Sequence, residues 1–383
     1  MSGEIKERNK MTPGGENPDS GCSCSGKPKE CACASGEKPY WIDGTVKTAG
    51  GDVPHVPAEL VFADHVGTFK VRANIGRMGY KVEPGLYAVG APNAVSPVLV
   101  SANYKMSFDV LRSKLAGRGA WILVIDTKGI NVWCAAGKGT FGTAEIVRRV
   151  AETQLSKVVS HRTLVVPQLG APGVSAHEVK RGCGFRVVYG PVRAADLSAF
   201  LDAGMKATPE MRRVHFGFRD RVVLIPVEFS MGLKYMLIAA VVFLVFSELY
   251  RGGYSPGRVA GVGSVSAALC IAAFLGGIVL TPALLPWLPG RAFSVKGAWA
   301  GFALAAIFEV VAYWHPALSG GRLADAAWLL IIPAASSFTG MNFTGASTYT
   351  SISGVKREMS IALPVQGVAA GAGLILWIAG RFV

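Results

Sequence analysis

Eight consecutive residues, Asn131-Val132-Trp133-Cys134-Ala135-Ala136-Gly137-Lys138, place one thiol on a segment of small side chains just after a buried-looking strand. A thiolate is a strong ligand for soft and borderline metals. A position at the start of a helix, with Lys138 nearby, favours that ionised form. Ala135, Ala136 and Gly137 take bulk away from the thiol, as a planar macrocycle lying against a helix requires, while Trp133 offers an aromatic face and Asn131 a hydrogen-bonding group. The competing reading is a buried structural cysteine, since free Cys is among the most buried residue types. The neighbours of Cys134 favour the metal ligand. Cys183 and Cys270, without such a setting, are read as packing residues.

Four more thiols, Cys22, Cys24, Cys31 and Cys33, form a C-x-C-x6-C-x-C array. Its spacing matches neither C-x2-C zinc sites nor iron–sulfur runs. Flexible thiolates of this kind capture soft ions such as Hg(II); the alternative is a dispensable tail. Residues 1–38 are rich in Gly, Ser, Pro and Lys, cannot bury enough surface to offset ordering, and are expected to be disordered. Gly137-Lys138-Gly139-Thr140-Phe141-Gly142 matches G-x-G-x-x-G. The Cys segment separates it from the strand, however, and Arg162 stands where an acid would hold a ribose. These glycines are read instead as room for close approach to a flat ligand. The six histidines, His55, His65, His161, His177, His215 and His315, form neither D-x-H-x-x-G nor H-E-x-x-H, so the thiol inherits the ligand role.

From Trp41 to Glu228 short apolar runs alternate with helical patterns. Val98–Val100, Trp121–Ile125, Leu164–Val166 and Arg186–Tyr189 read as buried strands; Ser107–Leu115, Thr143–Val158 and Ala194–Ala203 read as helices. Such alternation implies right-handed crossovers and a mainly parallel sheet, an α/β fold of Rossmann-like or flavodoxin-like type over residues 39–228. Ligands of open α/β sheets bind beyond the carboxyl ends of the strands, where strand order switches. Those ends carry Ser101, Asn103 and Gly170, expected to line the pocket, and Cys134 follows the second end by eight residues, close enough to overhang it.

Charge collapses after Ser230. The first 230 residues hold 30 Lys+Arg and 21 Asp+Glu, leaving 9 and 4 of the totals of 39 and 25 for the rest. Five apolar runs of membrane-spanning character follow, at Met231–Tyr250, Val259–Leu280, Ala298–Trp314, Leu323–Phe338 and Ser360–Ile378, making residues 229–383 an all-α transmembrane domain. No export signal pattern is found in the first 30 residues, so the α/β domain is expected in the cytoplasm, beneath the cytoplasmic membrane. The +14 charge fits an anionic lipid surface, with Arg212, Arg213, Arg219, Arg221 and Lys234 near the first span; no nucleic-acid motif accompanies it. Glu309 falls inside a span, where a carboxyl needs partners such as Ser336, Ser337, Thr339 or Asn342.

Every position of the Asn131–Lys138 run meets the cap-helix signature N-V-W-C-A-(A/G)-G-K of the HgcA family. Its members are membrane-bound corrinoid proteins that methylate mercury together with a ferredoxin-like partner, HgcB. The resemblance covers Trp41 to Val383 and implies a Rossmann-like corrinoid (cobalamin-type, cobalt) domain followed by five spans. It implies Cys134 as the catalytic lower ligand to cobalt, with Asn131, Val132, Trp133, Ala135, Ala136, Gly137 and Lys138 as cap-helix contacts. A thiolate below cobalt would raise electron density on the upper methyl group and favour its leaving as a carbanion equivalent or radical toward Hg(II). The resulting Co(III) requires reduction. This chain has no iron–sulfur cysteine set, so the implied electron source is an HgcB-like ferredoxin with 4Fe–4S clusters, and the implied methyl source a methyltetrahydrofolate-linked donor. The polar run Asn342–Ser351, with Ser353-Gly354-Val355, also resembles a segment of the corrinoid iron–sulfur proteins of acetyl-CoA synthesis, which lack both the cap cysteine and the spans. Two alternatives stay open: a corrinoid methyl carrier of one-carbon metabolism, and a membrane metal-binding or transport protein.

Overall fold

Apolar runs of four to six residues bounded by Gly, Pro or Asn can be buried on both faces only at the centre of a sheet. In the computed structural model, which describes residues 38–250, 253–254, 259–343 and 352–383, they lie there. The Cys22–Cys33 array and most of the Asn342–Ser351 run lie outside the described residues. The first part of the chain runs β1 (Gly44–Thr48), β2 (Gly51–Val56), α1 (Phe62–Arg72), β3 (Gly85–Val89), β4 (Val98–Ala102), α2 (Lys105–Ser113), β5 (Ala120–Ile125), α3 (Val132–Gly137), α4 (Thr143–Glu152), α5 (Leu155–Val158), β6 (Thr163–Val166), α6 (Ala176–Cys183), β7 (Arg186–Tyr189) and α7 (Leu197–Asp202). The four expected strands are β4 to β7, and every residue of β4 and β5 is buried.

The sheet is mixed rather than mainly parallel. Its order is β1-β2-β3-β5-β4-β6-β7. β4, β5, β6 and β7 are parallel, but β3 runs antiparallel to β5 and β1 antiparallel to β2. The sequence signal is weak for these extra strands: β1 is half exposed with alternating burial, and β2 carries Pro54, which cannot donate to a ladder. Helices cover both faces. Phe108 and Leu115 below α2, with Leu197 and Phe200 of α7, fill one layer; Ile146, Val150 and Val179 of α4 and α6 fill the other. The expected helix Thr143–Val158 is broken where Gln154 takes a left-handed conformation (φ 46°).

The path β4–α2–β5 followed by the return to β6 on the other side of β4 puts the switch in strand order between β4 and β6. Because β3 is antiparallel, the loop before it crosses the same carboxyl edge. Val82 N donates to Asn103 O (2.9 Å) and Lys105 N to Tyr80 O (3.1 Å), stitching this loop to the end of β4. A four-charge cluster anchors the loop from behind. Lys105 Nζ lies 2.6 Å from Asp64 and 2.7 Å from Asp109; Arg112 binds Asp64 (2.6 Å) and Asp109 (2.9 Å), all four side chains being at most 2% exposed.

The second part comprises α8 (Phe218–Val222), α9 (Ile225–Phe246), α10 (Ser264–Leu275), α11 (Thr281–Ala283), α12 (Phe293–Trp314), α13 (Arg322–Met341) and α14 (Ile352–Ala379). Five helical segments, Phe218–Phe246, Ala260–Ala283, Phe293–Trp314, Arg322–Met341 and Gly354–Ala379, are long and apolar enough to cross a membrane, in the number and places expected. α13 is the most buried of them and packs against α12 and α14. Small residues allow the close crossing: a Cβ on Gly297 would lie 2.5 Å from Ser336 O, and one on Gly301 2.5 Å from Pro333 Cα.

Two expectations for this region are corrected. The hydroxyls assigned to Glu309 are engaged elsewhere: Ser336 donates to Ala273 O (2.7 Å), Ser337 to Ser294 O (2.8 Å) and Thr339 to Ala335 O (2.9 Å), while Asn342 lines a cavity. Glu309 Oε1 is buried without a partner among the described residues, in the last third of α12. Arg221, counted among the lipid-facing cations, is buried.

Candidate functional site

The thiol of the cap segment is placed by a chain of polar contacts that begins on β4. Asn103 Oδ1, at the end of that strand, accepts from Thr127 N (3.0 Å), Thr127 Oγ1 (2.8 Å) and Gly129 N (2.9 Å), and its Nδ2 donates to Asp126 Oδ1 (3.2 Å). This fixes the loop after β5, where Lys128 and Gly129 both take positive φ. The loop delivers Asn131 as the N-cap of α3, its Oδ1 accepting from Cys134 N at 2.9 Å. Ala135 and Ala136 face inward into the sheet's core. Behind them a turn at Gln168–Gly173 packs tightly: a Cβ on Gly170 would meet the Phe141 ring at 2.5 Å, and one on Gly173 would meet Phe141 O at 2.1 Å. The small residues of both segments therefore serve first to seat the cap helix on the sheet.

Outward, Cys134 lines a cavity of about 880 Å³ between the carboxyl edge of the sheet and the long helices. That is the size range of cofactor sites. Asn74, Arg77, Asn131 and Cys134 form one side. The other is apolar, from Leu224, Val227, Met231 and Met236 of the first span with Phe274 and Phe338, and carries Glu228, Cys270, Thr339 and Asn342 as polar or thiol groups. Cys270, read as packing, thus shares the cavity with Cys134. A second cavity of about 560 Å³ lies at the amino ends of β4, β5 and β6, at the opposite edge of the sheet; His161 beside it is hydrogen-bonded through both ring nitrogens, to Ser96 O and Thr163 N.

Of the expected contacts, Asn131 and Cys134 line the main cavity, whereas Ser101, Asn103 and Gly170 lie buried behind the cap segment. Val132 and Trp133 are half-buried; Gly137 and Lys138 are exposed, and the Lys138 amide closes the helix on Cys134 O (3.1 Å). Cys183 donates to Val179 O at 3.2 Å, and burial pushes its thiol up, as suits a packing residue. Sequence reasoning missed Arg72, Arg77 and Tyr104. Tyr104 is 3% exposed and its hydroxyl has no hydrogen-bond partner among the described residues. Burial pushes that hydroxyl up, against the pull of Arg77 and Arg72 and with a further push from Cys134, so it stays protonated and able to donate. The only available signal was its place at the end of a buried strand.

Among the described residues no group of three or more His, Cys, Asp and Glu side chains could hold a metal ion. The cavity offers a single thiol from the sheet side, a donor set suited to one axial position on a metal that brings its own equatorial ligands. The volume and an apolar wall that also carries Glu228, Thr339 and Asn342 fit a large, partly polar cofactor.

Residues 69–201, from the end of α1 to α7, match the family described as CO dehydrogenase/acetyl-CoA synthase delta subunit. The gamma subunit of the acetyl-CoA decarbonylase/synthase complex of Archaeoglobus fulgidus is 31% identical over 140 residues, 35% of this chain and 29% of the relative. That of Methanopyrus kandleri is 37% identical over 125 residues, 32% of this chain and 26% of the relative. The gamma 2 subunit of Methanosarcina thermophila is 34% identical over 126 residues, with the same two shares. The chain spans less than a third of the length of these curated relatives. The stretch that carries Arg72, Arg77, Tyr104 and Cys134 is thus similar to subunits of an acetyl-CoA decarbonylase/synthase complex.

Proposed function

We propose that this protein is a membrane-held corrinoid protein that carries a methyl group, with the Cys134 thiolate as lower ligand to cobalt. The observation that carries the reading is the position of Cys134. It lines a cofactor-sized cavity at the carboxyl edge of a sheet similar to acetyl-CoA decarbonylase/synthase subunits, a complex whose corrinoid iron–sulfur proteins the α/β part resembles. Cys134 would hold the group, Asn131 fixes the turn that presents it, and Asn103 holds the loop beneath. Met231, Met236, Phe274 and Phe338 make the facing side apolar. When bound, the corrinoid supplies a cobalt–carbon bond from which the methyl group is transferred. The long helices set the cavity at the cytoplasmic membrane, with the sheet on the cytoplasmic side.

The cap cysteine favours a second, finer reading, in which the acceptor is Hg(II). A thiolate from Cys134 on the metal would be a strong electron donor, and the bound group would then supply chemistry suited to methyl transfer to a soft cation rather than transfer as a methyl cation. This reading brings the partners of the HgcA resemblance: a ferredoxin-like electron donor and a methyltetrahydrofolate-linked methyl donor. The test is methyl transfer in anaerobic membranes containing the protein and such a ferredoxin, with Hg(II) and a thiol acceptor in competition, for the native chain and Cys134→Ala. Loss of methylmercury in the variant, with the native chain preferring Hg(II), supports both readings. Preference for the thiol leaves the methyl carrier alone, and an unchanged visible spectrum of bound corrinoid in Cys134→Ala removes the thiolate ligand.

A further inference from the structure

We propose that Arg77, Arg72 and the Tyr104 hydroxyl form a phosphodiester-binding subsite beside Cys134. Arg77 lines the cavity with Cys134, and Arg77, Arg72 and Cys134 all lie close enough to the Tyr104 hydroxyl to act on it electrostatically. The Tyr104 hydroxyl and Arg72 Nε are both buried and unpartnered among the described residues. Arg77 lines the cavity, and its side chain makes no hydrogen bond or ion pair among the described residues. A buried donor left unpaired costs about 1–3 kcal/mol, so an acceptor beyond the described residues is called for.

The backbone brings the three together. Tyr104 follows β4 at the switch in strand order, Arg72 ends α1, and Arg77 stands in the turn between α1 and the stretch bonded to residues 103–105. The charge balance selects an anion. Among the described residues Glu228 is the single carboxylate lining the cavity; it interacts electrostatically with Arg77 without a close ion pair, so Arg77 and the nearby Arg72 meet at most one negative charge there. Guanidiniums with a hydroxyl donor suit the oxygens of a phosphodiester.

Two sources of that group fit the walls. One rests on the corrinoid reading: with a thiolate below cobalt, the nucleotide arm of a complete corrinoid cannot ligate the metal, and its phosphodiester needs a place beside the ring. The other is a phospholipid headgroup, whose chains would lie along Met231, Met236 and Phe274.

The full chain in detergent is titrated spectrophotometrically with cobalamin and with cobinamide, which lacks the nucleotide arm, as the native protein and as Arg77→Gln and Tyr104→Phe. Phospholipid retained by each protein is measured by mass spectrometry. If the arm is the source, the native protein prefers cobalamin by roughly tenfold, and Arg77→Gln removes the preference without weakening cobinamide, a loss typical of one charge-assisted hydrogen bond. Tyr104→Phe reduces it by roughly threefold, near the lower end for a neutral bond. Equal binding of the two corrinoids, with a phospholipid held by the native chain and lost from Arg77→Gln, assigns the subsite to a lipid. Equal binding with no such lipid overturns the subsite and leaves the corrinoid reading standing. Failure of the native chain to bind either corrinoid overturns that reading instead, and lipid retention alone then decides the subsite.

Discussion

Two polar regions meet at one peptide bond, between Tyr104 and Lys105. On the Lys105 side, two cations and two carboxylates bury each other completely, and Arg112 also donates to Pro57 O (2.6 Å) and Glu59 O (2.9 Å). On the Tyr104 side, a hydroxyl and a guanidinium nitrogen are equally buried and have no acceptor among the described residues. The first arrangement is a closed network that belongs to the fold. The second is open among the described residues, and near its hydroxyl lie Arg77 and Cys134, which line the cavity. Residues that hold the sheet together thus differ from the buried donors assigned above to a phosphodiester subsite.

The largest effect that would test this separation is on the closed side. Asp64→Ala leaves Lys105 and Arg112 with one carboxylate between them in a dry setting and should cost about 3–5 kcal/mol. Denaturant unfolding measures it; a loss under about 1 kcal/mol would show that water reaches the cluster, since only exposed pairs contribute so little. On the open side the corresponding truncation, Tyr104→Phe, should leave stability unchanged or raise it, because it removes a group whose desolvation is not repaid.

Asn103→Ala should fall between these. It removes the acceptor for two loop amides and should cost about 1–3 kcal/mol. It should also loosen the cap helix without touching the cavity. Hydrogen exchange of the amides from Thr127 to Cys134 gives the readout: faster exchange there and not in β4 is expected, and uniform acceleration across the sheet would place Asn103 with the closed network.

How much of this was legible in the sequence depends on range. β4 to β7 were readable because a run such as Trp121–Ile125 is buried on both faces and bounded by breakers. β3 was not, since Gly85–Val89 owes its place to an antiparallel partner 30 or more residues away. The place of Cys134 over the sheet's carboxyl edge was readable from its position shortly after the end of β5. The membrane-side wall was not, because Met231, Phe274 and Phe338 come from three helices that only tertiary packing brings together. Asn103 shows the limit of an edge argument: it stands at a strand's carboxyl end, as a ligand contact would, yet its side chain holds the next loop. Glu309 shows another, for Ser336 and Ser337 could be counted as its partners only until their own acceptors were known.

The smallest expected effect concerns acid. Burial opposes ionisation of Asp126, but the side chain and amide of Lys128 outweigh it and hold the carboxyl below its ordinary value. Glu145, which accepts from Asp126 N, is likewise lowered: burial opposes, and the Asp126 amide with Arg149 and Arg148 prevails. A carboxyl with a lowered folded-state pKa contributes stability above its unfolded value and loses it as pH falls through the folded one. The loop carrying α3 should therefore keep its amide protection from neutrality down to about pH 4 and lose it below, ahead of the sheet. If protection of Thr127–Gly129 already fades well above pH 5, these carboxylates are not what holds the loop, and Asn103 alone would have to account for the position of Cys134.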